Sequence, residues 1–270
     1  MAEEKQRAAT KIKRKPPRLL TVDKTFFLTP NMIRVTFKGS EVEGFAPDCP
    51  GGHCKLVIPS QGQTRDDFAA QLLSGIGLTR RTYTVRDYRP DVLELDIDFV
   101  AHGDEGPASA WAHRAKPGSF CGFAGPSQPK ITDFVADWFL VAADMAALPL
   151  AAATLEAMPR DAQGLAIFEI TSEQDIQQID IPAGIKCHWL IQKDPHIRSD
   201  AQEQLIRSIQ WPNGSARACI AGESGSIRSI RSYLHGEREL SPRDAYISGY
   251  WKIGLVEDAH QEQRRAGMAG

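Results

Sequence analysis

No stretch of the chain is long and apolar enough to span a membrane. The nearest run, from Phe139 to Leu155, is interrupted by Asp144 and Pro149. The charged N-terminus has no apolar core of the kind a secretory signal needs. Five cysteines (Cys49, Cys54, Cys121, Cys187, Cys219) form no Cys-x-x-Cys pair, and their number is odd. Reduced thiols in a cytoplasmic protein fit that pattern better than a disulfide framework or an iron–sulfur centre. The seven histidines show no ligand-like pairing, so no metal site is expected. The Gly-x-Ser-x-Gly elbow of the hydrolases is also missing, since Gly222-Glu223-Ser224-Gly225 has the wrong spacing. Neither sign of charge prevails, and the net value is −2. That near-zero total conceals an arm of +5 over residues 1–18 and a remainder of −7. An acidic body argues against a general nucleic-acid binder.

What is present is an ordinary globular mixture, 42% hydrophobic and 24% charged over 270 residues. Residues 1–17 read as a basic flexible arm ending in Pro16-Pro17. From Arg18 to Lys130 the signals are short strands with Gly/Pro punctuation and little helix: residues 32–37, 53–58, 81–86 and 93–99. In the last of these, Leu93, Leu95, Ile97 and Phe99 alternate with Glu94, Asp96 and Asp98, which puts the acids on a face of their own. After residue 131 short apolar runs at 138–142, 165–171, 187–192, 217–221 and 245–251 alternate with helical stretches at 146–158, 199–209 and 226–234. Such alternation implies a parallel sheet wound by helices on both faces. The expected architecture is therefore an antiparallel barrel over 18–130 and a doubly wound α/β domain over 131–258, with a tail over 259–270. Ligands belong between the domains or at the carboxyl ends of the parallel strands.

Two segments carry candidate chemistry. On a strand, Arg81, Tyr83 and Val85 share one face, flanked by Thr82 and Thr84. A guanidinium forks onto phosphate oxygens, a tyrosine covers a ring, and a threonine hydroxyl reaches a ring edge. Gly106-Pro107-Ala108-Ser109 reads as a helix start, where proline costs nothing and small residues leave backbone amides open to a phosphate. Together these supply a ring-and-phosphate strand and a pyrophosphate seat, as a flavin dinucleotide needs. His102 lies between them, placed to line the isoalloxazine edge.

The chain resembles the ferredoxin–NADP reductase superfamily at Arg81-x-Tyr83-Thr84-Val85-Arg86. Asp98-Phe99-Val100-x-His102-Gly103, Gly106-Pro107-Ala108-Ser109-x-Trp111-Ala112, Gly222-Glu223-Ser224, Arg228-x-x-Arg231 and Ser248-Gly249-Tyr250-Trp251-Lys252 narrow the resemblance to the siderophore-interacting proteins. It spans roughly residues 18–260. The resemblance implies a six-stranded FAD-binding barrel and a nucleotide-binding-like α/β domain. It also implies a reductase that moves electrons from NAD(P)H or reduced ferredoxin through FAD to siderophore-bound Fe(III). No catalytic acid or base is then required.

On that basis the cofactor residues are Arg81, Thr82, Tyr83, Thr84, Val85, Asp98, Val100, His102, Gly106, Ala108, Ser109 and Trp251. Lys55, Lys130 and Lys252 are the candidates for an anionic ferric siderophore, and Asp144, Arg228 and Arg231 for the electron donor. The family's Gly-Asp-Glu-Thr-Ala loop reads Ala143-Asp144-Met145-Ala146-Ala147 here, which weakens the case for tight nicotinamide binding. A ferredoxin donor docking on the basic arm is the alternative that opens. Two other readings stand beside the reductase: a general flavin or ferredoxin reductase, and a carrier that binds siderophore without chemistry. Nothing in the sequence demands a dimer, so a monomer is expected.

Overall fold

The computed structural model describes residues 16–101 and 106–255. The arm over 1–15, His102 and the tail beyond 255 lie outside them.

Six strands close an antiparallel barrel: β1 (Arg18–Thr29), β2 (Met32–Lys38), β3 (His53–Ile58), β4 (Thr79–Arg89), β5 (Glu94–Val100) and β6 (Phe120–Ala124), in the order β1-β2-β5-β4-β3-β6. Closure leaves no exposed sheet edge. The alternating run places Leu95, Ile97 and Phe99 in the barrel core. Two of the acids opposite them, Asp96 and Asp98, are buried as well, because arginines cover them. Arg34 grips Asp98 through Nε and Nη2 at 2.7 and 2.8 Å, and Arg89 reaches Asp96 at 2.9 Å. Leu93 does not join the strand. It closes a 3-10 turn over Pro90–Val92 with φ 52, ahead of β5.

Among the described residues the barrel region contains two α-helices, of which only the second is expected from the sequence. α1 (Arg65–Ser74) crosses between β3 and β4, capped by Thr64, whose hydroxyl accepts from the Asp67 N–H, and stopped by Gly75 at φ 71. It buries Phe68 and Leu72 against Val57. α2 (Pro107–Arg114) lies between β5 and β6.

The second region is a five-stranded parallel sheet: β7 (Trp138–Asp144), β8 (Gln163–Ile170), β9 (Gly184–Ile191), β10 (Ala216–Glu223) and β11 (Ala245–Trp251), ordered β11-β10-β7-β8-β9. The chain enters at β7 and winds outward both ways, so the switch point lies between β7 and β10. α3 (Leu148–Ala157), α4 (Ala201–Ser208) and α5 (Ser224–Ser232) cover it. From β8 to β9 the connection is a 3-10 turn, Glu173–Asp175, and extended chain. α3 packs against β4 of the barrel. There Arg86 clasps Glu156 with two bonds of 2.7 and 2.6 Å.

A second junction lies at the start of β2. Met32, Met145 and Ile170 form a small buried cluster with Leu28, Val100 and Trp189 around it. Asp175, fully buried, bridges the same seam. Its Oδ1 accepts from the Thr29 hydroxyl (2.9 Å) and the Asn31 N–H (3.0 Å). Its Oδ2 accepts from the Asn31 amide (2.8 Å) and the Thr171 hydroxyl (2.9 Å). No helix of the described residues is long and apolar enough to cross a membrane.

Candidate flavin and substrate site

β4 brings Arg81, Thr82, Tyr83, Thr84 and Val85 to one side of the barrel. Val85 faces the core, and Thr84 is buried. Tyr83 lies 4.5 Å, centroid to centroid, from Phe99 on β5, and Phe99 lies 5.7 Å from Trp111 on α2. This aromatic file ties the β4 motif to the helix start. At that start Gly106 offers no side chain to cap the first amides, and Pro107 has none to offer. The helix thus presents partial positive charge with no side-chain cap from Gly106, an arrangement that suits a pyrophosphate. Ala108 and Ser109 are buried, so their part is played by backbone. Beside Pro107, Trp111 and Arg114, with Thr79 and Ile58 opposite, a cleft of about 480 Å³ runs along the barrel wall. It is roomy enough for part of a dinucleotide. None of the expected cofactor residues is among those lining that cleft, and two are engaged elsewhere: the Asp98 carboxylate is committed to Arg34, and Val100 packs at the inter-domain cluster.

The carboxyl edge of the parallel sheet holds Asp144, Glu223 and Trp251, at the ends of β7, β10 and β11. The Asp144 Oδ1 accepts from the amides of Ala146 and Ala147 at 3.0 and 3.1 Å, and its Oδ2 from the Trp251 ring N–H at 2.7 Å. Gly222 passes close by: a Cβ there would meet Asp144 Oδ2 at 2.7 Å, on backbone with φ +157. Burial, with like charge from Glu169 adding to it, pushes the Asp144 pKa up to about 6 despite the N–H donors. Glu223 caps α5 through the Gly225 and Ser226 amides and also accepts from the Ile253 N–H at 3.3 Å. The Ser224 hydroxyl donates to the Trp251 carbonyl at 2.8 Å. Three contacts thus hold Trp251–Ile253 in place, with Lys252 between them.

Asp144 turns inward and consumes the loop amides that would face a phosphate. Met145, where the family pattern has glutamate, is buried in the inter-domain cluster. Arg231 donates to the Ile247 carbonyl at 2.6 Å, and Arg228 is exposed one helical turn earlier.

Two of the three lysines come together. Lys55 and its cross-strand partner Thr82 are hydrogen-bonded. Lys130 lies beyond β6, and both lysines act on His53, lowering its pKa after the effect of burial. His53 pairs across the ladder with Thr84, and Thr84 is hydrogen-bonded to Tyr250, two residues before Lys252. The lysine patch, the β4 motif and the C-terminal strand are thus contiguous. His53 and Tyr250 lay outside the residues that sequence reasoning selected. The i, i+2 spacing of His53 with Lys55 was the available signal for the first, and the second joins the site only through a contact between domains.

A closed antiparallel barrel joined to a parallel sheet at its carboxyl edge is the two-domain fold of the ferredoxin reductases. Ferredoxin–NADP⁺ reductase of Plasmodium falciparum shares the fold at 12% identity, TM-score 0.61, over 87% of this chain and 96% of that one. The chain belongs to the siderophore-interacting protein family: residues 21–130 match the siderophore-interacting FAD-binding domain and 136–254 the siderophore-interacting protein domain. It is 33% identical to the ferric vibriobactin reductase ViuB of Vibrio cholerae over 96% of this chain and 98% of that one. Its structure matches the siderophore-interacting protein SipS of Aeromonas hydrophila with a TM-score of 0.79 and 29% identity, over 94% of this chain and 99% of that one.

Proposed function

We propose that this protein is an FAD-dependent ferric-siderophore reductase that draws electrons from NAD(P)H or reduced ferredoxin and releases iron as Fe(II). The observation that carries the reading is the aromatic file that ties the Arg81–Val85 strand to α2, with Lys55 on the neighbouring strand and Lys130 beside His53. When bound, FAD supplies the two-to-one electron conversion that a one-electron iron reduction needs. Arg81 and the α2 amides hold the pyrophosphate. Tyr83 and Thr84 orient the ring system, with Thr82, Val85, Gly106, Ala108 and Ser109 shaping the seat. Trp251, fixed by Asp144, borders it from the second domain. Lys55, Lys130 and Lys252 supply the local positive charge with which an acidic body attracts an anionic ferric chelate. Inward-turned Asp144 makes the β7 loop a poor phosphate seat, which favours a protein donor; Arg228 and Arg231 on α5 offer such a donor a cationic face.

Anaerobic reduction of the FAD-loaded protein tests the reading directly. Reduced ferredoxin is expected to bleach the flavin faster than NADPH or NADH, and a ferric siderophore is expected to restore its colour. A reduced flavin that ferric siderophores leave bleached would favour a general ferredoxin reductase, and a protein that takes up no flavin would favour a carrier. Separately, Lys252→Ala is expected to weaken ferric-siderophore binding about tenfold, the loss of roughly one charge–charge contact, while FAD content stays intact. Unchanged affinity in a binding titration would remove Lys252 from the site.

A further inference from the structure

Between the two lysines stands a titratable side chain with no part in the scheme above. His53 opens β3 on the same face as Lys55, and its cross-strand neighbours on β4 are the neutral Thr84 and, two residues along, Thr82. The charges acting on its ring are Lys130, from the segment after β6, and Lys55 on its own strand. The ring is pinned at one end. Gly125, at φ +126, carries the chain over β3, so that the Ser127 N–H donates to the His53 carbonyl at 2.9 Å. The Ser127 hydroxyl accepts from the His53 N–H at 3.0 Å, donates its only proton to the Gln128 carbonyl at 3.1 Å, and lies 2.7 Å from His53 Nδ1. In the tautomer that lets Ser127 keep its bond to the Gln128 carbonyl, Oγ accepts from Nδ1–H and Nε2 keeps the lone pair. Burial, and after it the charges of Lys130 and Lys55, favour the neutral ring.

We propose that His53 is a catalytic proton carrier: it takes a proton on Nε2 when an anionic ferric siderophore docks at Lys55 and Lys130, and gives it to the ligand oxygen that Fe(II) releases. The proposal rests on the siderophore reading above. Docking brings negative charge that offsets the two lysines, and the imidazole then binds a proton from solvent. The flavin-borne electron converts Fe(III) to Fe(II). The Fe–O bond breaks with its electron pair left on oxygen, that oxygen takes the Nε2 proton to form O–H, and the ring returns to neutral. Without the proton, a basic catecholate oxygen recaptures the metal.

The test uses the FAD-loaded full chain and the variant His53→Gln, whose amide can still bond Ser127 but cannot titrate. A hexadentate tris-catecholate chelate of Ga(III) serves as a probe that binds but is not reduced. Calorimetry in two buffers of different ionisation enthalpy at pH 7.5 is expected to show uptake of about one proton on binding to the wild type and about none for the variant, with affinities within about threefold. With the Fe(III) chelate, single-turnover release of Fe(II) to a ferrous-specific trap is expected to slow about a hundredfold in the variant at pH 7.5. The gap should close as the pH falls and solvent supplies the proton. Binding without proton uptake, or parallel pH profiles for the two proteins, overturns the role of His53 alone. A Ga(III) chelate that fails to bind the wild type overturns the siderophore reading with it.

Discussion

Replacing Asp175 with alanine is expected to lower the stability of the fold by about 3–5 kcal/mol, the range for removing one partner of a buried, charge-bearing network. Four donors converge on its carboxylate, two from Asn31 and one each from Thr29 and Thr171. Thr29 ends β1, Asn31 lies in the turn before β2, and Thr171 follows β8, so the carboxylate joins the two domains. Burial works to raise its pKa, but the hydrogen bonds from Asn31, Thr29 and Thr171 prevail and hold it below the ordinary carboxylate value. A lowered pKa means that its stabilisation is complete above the unfolded-state value near 4 and is lost as the pH falls below it. Asp175→Asn keeps one acceptor and turns an NH2 toward the Asn31 amide, so it should cost less than the alanine change. Urea unfolding at pH 7 measures both. Because a single seam is cut, the alanine variant should also unfold in two stages rather than one. A single transition with wild-type midpoint would remove Asp175 from the junction.

Asp144 is expected to show the opposite dependence on pH. Its folded-state pKa of about 6 lies above the usual 3.8. The folded protein thus holds a proton there that the unfolded chain has already lost. Stability from this group is complete below the unfolded value and falls away as the pH rises toward 6, by about 3 kcal/mol for a shift of roughly two units. Asp144→Asn should remove that slope, so the wild type minus variant difference should drop by about 3 kcal/mol between pH 4 and pH 7 in urea unfolding curves. Parallel curves would mean that the carboxylate titrates normally. At neutral pH the ionised group has a second consequence. An asparagine must turn its NH2 either toward the Trp251 ring N–H or toward the Ala146 and Ala147 amides, and one set of bonds is lost. Trp251 should therefore become more mobile in the variant, seen as a shift and broadening of its indole NH resonance in the flavin-free protein. Gly222→Ala should reproduce the effect, because its Cβ would press on the same oxygen.

Most of the framework was legible because it rests on local chemistry. Period-2 alternation at 94–99, the apolar runs that became β7, β8 and β10, and the Pro107 helix start all reflect short-range rules. α1 was missed although Thr64 and Gly75 marked its ends, because its apolar positions, Phe68 and Leu72, make only a thin stripe. Asp144 illustrates the limit for the site. Its motif suggested an outward group for a donor, but the fold turns it inward, because the ring N–H that it accepts comes from Trp251, 107 residues later.

By itself, then, the sequence determined the two architectures, the Arg81–Val85 strand and the Pro107 start of α2, since each is written in residues that are close together along the chain. Only the tertiary structure decided which charges are spent and which are presented. Asp98 is consumed by Arg34, Arg86 by Glu156, Asp144 by Trp251 and Asp175 by the β1–β2 turn, while His53 and Lys130 meet across a gap of 77 residues. The physical reason is that a charge takes its energy from whatever lies within a few ångströms, and in a barrel joined to a sheet those neighbours come from distant parts of the chain.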